Sequence, residues 1–232
     1  MITIRKSEER RHITNEDHTT WLTFDRENNI DPLQDGFGTL RTFNEQVLSP
    51  GRIFILQTPK DMVVVTYVHE GVIICNGPLG KTGLLEMGDF FQNNVASGAK
   101  QYTFNPSPSD DSHLFQSVFK PSVAEMEPGG SKKLFTLAER KGVLKLIASP
   151  DGIEASLKIQ QDVQMYSTFV HKGNHMIHEL KPGRKAWLHV VKGWIKVNEL
   201  DLKMGDGAGF SGEMSVSFTG MEPTEILLFD LA

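Results

Sequence analysis

The stretch VTYVHEGVIICN at 65–76 is echoed by WLHVVKGWIKVN at 187–198, and LLEMGDFF at 84–91 by LKMGDGAGF at 202–210. Gly71 matches Gly193, and Met87-Gly88-Asp89 matches Met204-Gly205-Asp206. The step from the glycine to the MGD triplet shortens from 16 residues (71 to 87) to 11 (193 to 204), as a loop deletion between strands produces. Such a repeat means two copies of one unit. Within each copy, a strand, a glycine turn and a second strand make a hairpin. Gly followed by Asp suits a further tight turn, because Gly takes positive φ and Asp bonds nearby backbone N–H groups. The pattern predicts two small antiparallel sandwiches or barrels, and turn chemistry accounts for Asp89 and Asp206 without a catalytic role.

The rest of the chain agrees with an all-β reading. Helix-period patterns are scarce, while short runs rich in Val, Ile, Thr and aromatics recur between Gly, Pro, Asn and Asp clusters. Strands are expected at 51–57, 62–70, 72–76, 113–119, 155–170, 185–192, 194–198, 214–219 and 225–231. A short helix is expected at 131–140, with Ser131 as its N-cap after two glycines. The Pro- and Gly-rich segments at 105–112 and 120–133 read as loops, and the second places the domain boundary, giving units 1–125 and 126–232.

A chain of 232 residues can bury a sizeable core. Its net charge of -5 leaves no general excess of cations for nucleic acid, so direct binding to nucleic acid is not expected. One cysteine, Cys75, forbids an intrachain disulfide, and neither a secretory leader nor a run of about 20 apolar residues is present. The expectation is a soluble cytoplasmic protein that does not enter membranes. Its partner would be a small molecule or another protein.

The segment DPLQDGFGTLRTFNEQVLSPG at 31–51, DMVVVTYVHEG at 61–71, GDFFQNNVASG at 88–98, LIASPDGIEASLKIQQDVQMY at 146–166 and the C-terminal LKPGRKAWLHVVKGWIKVN, GDGAGFS and ILLFDLA together resemble the pirin-like bicupins. The resemblance runs from about residue 18 to the C-terminus. It implies two tandem cupin β-sandwiches of the jelly-roll type in a monomer. It also implies an N-terminal site that in metal-bearing members holds iron or another divalent ion through two histidines of an HPH segment, a third histidine and a glutamate. Some of those members cleave flavonols such as quercetin with O₂, and the animal protein is an iron-dependent transcriptional co-regulator.

Aligned on the flanking motifs, the four ligand positions fall on Gln57, Pro59, Gln101 and Thr103, with Thr58 between the first two. A nearby family glutamate becomes Val63. Pro59 offers no side-chain donor, and amides and a hydroxyl are poor ligands for iron, which favours imidazole and carboxylate. These positions are read instead as the lining of a pocket, with Val63, for a neutral small molecule. No metal or other cofactor is expected, and the reading is a metal-free small-molecule-binding or regulatory protein. The alternative is a quercetin 2,3-dioxygenase-like enzyme with a divalent metal on non-standard ligands. His171, His175 and His178 form the second-half histidine cluster, an alternative metal site that strand parity argues against, since His178 and His175 fall on opposite faces. His69 reads as a structural histidine, Cys75 as a small buried hydrophobe, and Trp187 and Trp194 as packing residues. No acid–base pair or nucleophilic triad stands out.

Overall fold

The computed structural model describes residues 1–57, 62–76, 82–95, 100–120 and 129–232; the side chains of Gln57, Thr82 and Val95 are outside the description. In chain order the strands are β1 (Ile2–Arg5), β2 (Arg11–Thr14), β3 (His18–Leu22), β4 (Leu40–Leu48), β5 (Ile53–Gln57), β6 (Met62–Glu70), β7 (Val72–Asn76), β8 (Thr82–Glu86), β9 (Asp89–Val95), β10 (Lys100–Phe104) and β11 (Ser112–Phe119). Then follow β12 (Gly129–Leu134), the helical turn α1 (Leu137–Arg140), β13 (Lys145–Ser149), β14 (Leu157–Lys158), β15 (Val163–Val170), β16 (His175–Glu179) and β17 (Lys185–Lys192). The chain ends with β18 (Trp194–Val197), β19 (Leu200–Lys203), β20 (Gly207–Ser211), β21 (Ser215–Gly220) and β22 (Thr224–Leu231).

Each repeat is a sandwich of one seven-stranded and one four-stranded sheet. The first pairs β12-β9-β6-β11-β4-β3-β2 with β5-β10-β7-β8, and the second pairs β1-β20-β17-β22-β15-β13-β14 with β16-β21-β18-β19. The edge strands are exchanged: β1, from the N-terminus, adds to the second large sheet, and β12, which precedes the second repeat, adds to the first. The expected boundary at 125 and 126 lies outside the described residues.

The repeat holds at atomic detail. Gly71 and Gly193 both have positive φ, and a Cβ on either would sit under 3 Å from the backbone and hydroxyl of Ser112 or Thr224. Those two hydroxyls play the same part. Ser112 Oγ accepts from Val72 N and donates to Val72 O, while Thr224 Oγ1 does the same with Trp194. Asp89 Oδ2 accepts from Glu86 N at 2.8 Å and Lys132 Nζ at 3.1 Å; Asp206 Oδ2 accepts from Lys203 N and Lys6 Nζ, both at 3.0 Å. Each lysine arrives with an exchanged edge, Lys132 within β12 and Lys6 just after β1. The turn role of the two aspartates is thus a structural one.

The two large sheets pack face to face across a cluster that includes Phe43, Val63, Val65, Phe119, Trp187 and Phe229. Phe24 joins it edge-on to Trp187 at 4.9 Å, so Trp187 packs as expected, while the half-buried Trp194 bonds Asp201. Three expectations need correction. Residues 129–134 form edge strand β12 rather than the start of a helix, because pairing with β9 outweighs local propensity. The helix shrinks to 137–140, with Thr136 and Glu139 making its capping box. The single strand expected at 155–170 is a short parallel β14, an irregular stretch and then β15. Among the described residues, no helix is long and apolar enough to cross a membrane.

Candidate functional site

Strand pairing sorts the side chains of the first large sheet between two faces. Opposed residues in an antiparallel pair share a face, and neighbours along a strand alternate. Val63, Val65 and Tyr67 face the second sandwich, opposite Phe119, Ser117 and Phe115. Val64, Thr66 and Val68 face inward, opposite Val118, Gln116 and Leu114. Val63 therefore lies on the far side of the sheet from the interior and does not line the expected pocket.

On β10 the burial alternates, with Gln101 and Thr103 buried and Lys100 and Tyr102 exposed. Gln101 and Thr103 enter the first sandwich from the small sheet, opposite Leu56 and Phe54. Gln57 ends β5 with its backbone opposite Lys100. Thr58 and Pro59 lie outside the described residues, so of the four expected site residues the structure brings Gln101 and Thr103 together on one inward face.

Further polar side chains, which sequence reasoning missed, enter the same sandwich interior from the large sheet. From β3, β4, β6, β9 and β11 come Thr20, Asn44, Gln46, Thr66, Asn93 and Gln116, all buried. Gln116 Nε2 donates to Thr66 Oγ1 at 3.3 Å, and Thr103 Oγ1 lies 3.7 Å from Cys75 Sγ. Both polar atoms of Gln101 and of Gln46 have no hydrogen-bond partner, nor have Thr20 Oγ1, Asn44 Oδ1, Asn93 Oδ1 and Gln116 Oε1. Each such buried group costs about 1–3 kcal/mol unless something bonds it. A signal was available: Thr66, Asn93, Gln101 and Gln116 sit at alternate positions of strands whose copies in the second repeat are apolar there.

That copy is an internal control. Counting from the matched Gly71 and Gly193, Asp89 and Asp206, and Ser112 and Thr224, and following the pairing register, Thr66 corresponds to Leu188, Asn93 to Phe210 and Gln116 to Leu228. Gln101 and Thr103 correspond to Val216 and Phe218. Those five close a fully apolar core with Ile195, Val197 and Ile226. The fold therefore closes without amides, and the first sandwich carries them at a cost.

Among the described residues, the first interior is nearly free of charge. Burial pushes the Cys75 thiol up to about 11, so it stays protonated and inert as a nucleophile. His18, edge-on to Phe54 at 4.9 Å, is shifted below its ordinary value by burial. No carboxylate belongs to the polar set described. An amide, a hydroxyl and a thiol do not make an iron or nickel site, and among the described residues no group of three His, Cys, Asp or Glu is arranged to hold a metal. The residues present do not fit the family's ion. They do offer donors and acceptors to a neutral ligand.

The ionisable residues gather instead at the seam between the large sheets. Glu225 Oε1 accepts from Tyr67 at 2.5 Å and Arg140 at 2.7 Å, and its Oε2 lies 3.1 Å from His69 Nδ1. Burial would raise the Glu225 carboxyl, but His69, Arg140 and Tyr67 outweigh it and hold it below the ordinary range. Glu45 bonds Arg10 at 2.7 Å and His113 at 2.9 Å, which overcome burial and hold it at about 2. His189, fully buried beside Phe43, is pushed down to about 3 by desolvation and stays neutral. His69 is structural as expected, although its partner comes from the other sandwich. The carboxylates each have a cation, so this seam is a balanced clamp.

The second-half histidines do not converge. His175 bonds Thr219 and Ser217 on the outer face of β16, His178 turns inward to Asp230 at 2.9 Å, and His171 is exposed before the turn.

Comparison with known proteins agrees with the architecture. The profile of the quercetinase C-terminal cupin domain matches residues 146–231. A quercetin 2,3-dioxygenase of Escherichia coli K12 is 31% identical over 231 residues, spanning 100% of this chain and 99% of that protein. The crystal structure of YhhW from Escherichia coli superposes with a TM-score of 0.91 at 30% identity, covering 100% of this chain and 98% of the other. The bacterial pirin YhhW in complex with nickel(II), also from Escherichia coli, gives 0.89 at 29%, with 100% and 99% covered. With the repeat, the paired sandwiches and relatives matched from end to end, this chain belongs to the pirin-like cupin family.

Proposed function

We propose that this protein is a metal-independent binder of a neutral small molecule, held among the amides and hydroxyls of the first cupin, and that binding serves a regulatory or protein-interaction role rather than oxygen chemistry. The observation that carries the reading is the set of buried, unpartnered atoms on Asn44, Gln46, Asn93, Gln101 and Gln116, with apolar residues of the second cupin core at the positions that match Asn93, Gln101 and Gln116. Amides both donate and accept, so they suit a ligand bearing hydroxyl and carbonyl groups. With no charged side chain in this polar set among the described residues, a neutral ligand is favoured over an ion. Thr103 would orient the ligand.

Quercetin is a reasonable first probe because the relatives carry its name. Calorimetric titration of metal-stripped protein should show saturable binding, and Gln101→Val with Gln116→Leu, the residues of the second cupin, should abolish it while the fold persists. Unchanged binding in that variant would refute the site.

A second reading is a quercetin 2,3-dioxygenase-like activity with a divalent metal on non-standard ligands. It is favoured by the full-length relative of that name and by the nickel(II) complex of YhhW. Elemental analysis with aerobic quercetin turnover separates the two. One tightly held ion per chain and turnover that tracks it would favour the enzyme, whereas near-zero metal after incubation with Fe²⁺ or Ni²⁺ would favour the binder. The quadruple change Gln57→His, Pro59→His, Gln101→His and Thr103→Glu should install ion binding if these are the ligand positions.

A further inference from the structure

The two cupins differ a second time, at one end of each sandwich. In the second, a cavity of about 280 Å³ is lined by Gln164, Tyr166, His178, Arg184 and Asp230, with Asp151, Asp162, Glu179 and Lys181 around it. Following the same register, His178 corresponds to Leu56, Arg184 to Met62 and Asp230 to Val118. In the first cupin those residues pack together with Val64 as a small apolar cluster. A sandwich of this design therefore closes that end with hydrophobes, and the second has replaced them with an imidazole, a guanidinium and a carboxylate.

The charged groups are built, not loose. Asp230 is 3% exposed; its Oδ2 lies 2.9 Å from His178 Nε2, and its Oδ1 accepts from Arg184 Nε. Arg184 also donates to Asp162 Oδ1 at 2.8 Å and to the Asp230 carbonyl at 3.0 Å. Burial alone would raise Asp230, but His178 and Arg184 hold it below its ordinary value, so it is an acceptor. Nε2 of His178 then carries the proton, and in the neutral ring Nδ1 is an acceptor. The Tyr166 ring lies 4.9 Å from the imidazole, centre to centre, and its hydroxyl donates to Gln164.

We propose that this cavity is a binding site for a small organic cation, an alkylammonium or guanidinium ion, independent of the ligand assigned to the first cupin. The lining sets four carboxylates, those of Asp151, Asp162, Glu179 and Asp230, against Lys181 and Arg184, and Arg184 is already saturated by aspartates. The excess charge is negative, so an anion is disfavoured. His178 Nδ1 accepts an N–H from the cation, Glu179 supplies the counter-charge at the rim, and Tyr166 offers an aromatic face. The volume, slightly below that of sites for drug-sized ligands, fits a molecule of a few heavy atoms.

The test is an NMR titration of the full-length protein with n-butylammonium chloride, and separately with sodium acetate, following the His178 ring nitrogens. Saturable shifts with a Kd on the order of millimolar for butylammonium, and none for acetate, are expected. The triple variant His178→Leu, Arg184→Met, Asp230→Val copies the first cupin. It should fold with an equal or higher Tm, since well-packed hydrophobes replace a buried ion network without loss, and should bind butylammonium at least tenfold more weakly. No saturable shift in the wild type, or equal shifts with acetate, would overturn the proposal. Should the triple variant unfold, His178→Leu alone decides: a folded protein that still binds overturns the site, and one that does not bind supports it.

Discussion

The two cupins share hairpins, glycine turns and a hydroxyl latch, yet their interiors are inverted. The first has amides at its centre and Leu56, Met62 and Val118 at one end; the second has an apolar centre and His178, Arg184 and Asp230 at that end. Because backbone and register coincide, the difference cannot be a demand of the fold. At the places of Thr66, Asn93, Gln101 and Gln116, as at those of His178, Arg184 and Asp230, hydrophobes satisfy the architecture in the other copy, so each polar set marks positions where a bonding partner, rather than closure of the core, decides the residue.

The strongest test of the comparison is at the seam, where the copies depend on one another. Glu225→Leu strands the buried Arg140 and should cost about 3–5 kcal/mol in urea unfolding. A loss under 1 kcal/mol would mean the sandwiches are held by the aromatic cluster alone. A related effect comes from His189, which sits where the first cupin has Tyr67. Its folded pKa is about 3, below the ordinary 6.5, so the unfolded chain binds the extra proton. Stability is therefore full above about pH 6.5 and falls as the pH drops toward 3, by several kcal/mol. His189→Phe should flatten that part of a Tm-versus-pH curve, and an unchanged slope would place the proton elsewhere.

Exchanging central residues sharpens the comparison further. Leu228→Gln puts the Gln116 amide into the apolar core and should destabilise by about 2–4 kcal/mol. The reverse change, Gln116→Leu, should be neutral or stabilising by up to about 1 kcal/mol in denaturant unfolding. Similar costs in both directions would remove the argument for a site. The smallest effect concerns Cys75: with its thiol pushed up to about 11 and buried, iodoacetamide should label it only after unfolding. Rapid labelling of native protein would show that the first interior is open to solvent at β7.

Turn chemistry was the most legible part of the chain. Gly71, Gly193 and the two Gly-Asp pairs revealed the repeat because positive φ and a side-chain bond to a neighbouring N–H are local requirements. The faces of MVVVTYV were not legible, since β6 is covered on both sides and buried along almost its whole length. A strand buried twice shows no alternation, so nothing in the run itself opposes the pocket position that the family resemblance implies for Val63. The edge strand at 129–134 was hidden for the opposite reason: most of its side chains are exposed, and only pairing with β9 makes it a strand.

By itself, then, the sequence determined a repeated all-β unit and its family, both of which follow from residue identity and short-range geometry. The tertiary structure alone decided which polar side chains converge. Asn44, Gln46, Asn93, Gln101 and Gln116 come from four strands far apart in the chain, and the Asp230, His178 and Arg184 group joins both sheets of the second cupin. Partner, burial and charge state are properties of long-range packing, and each is set only when the strands pair.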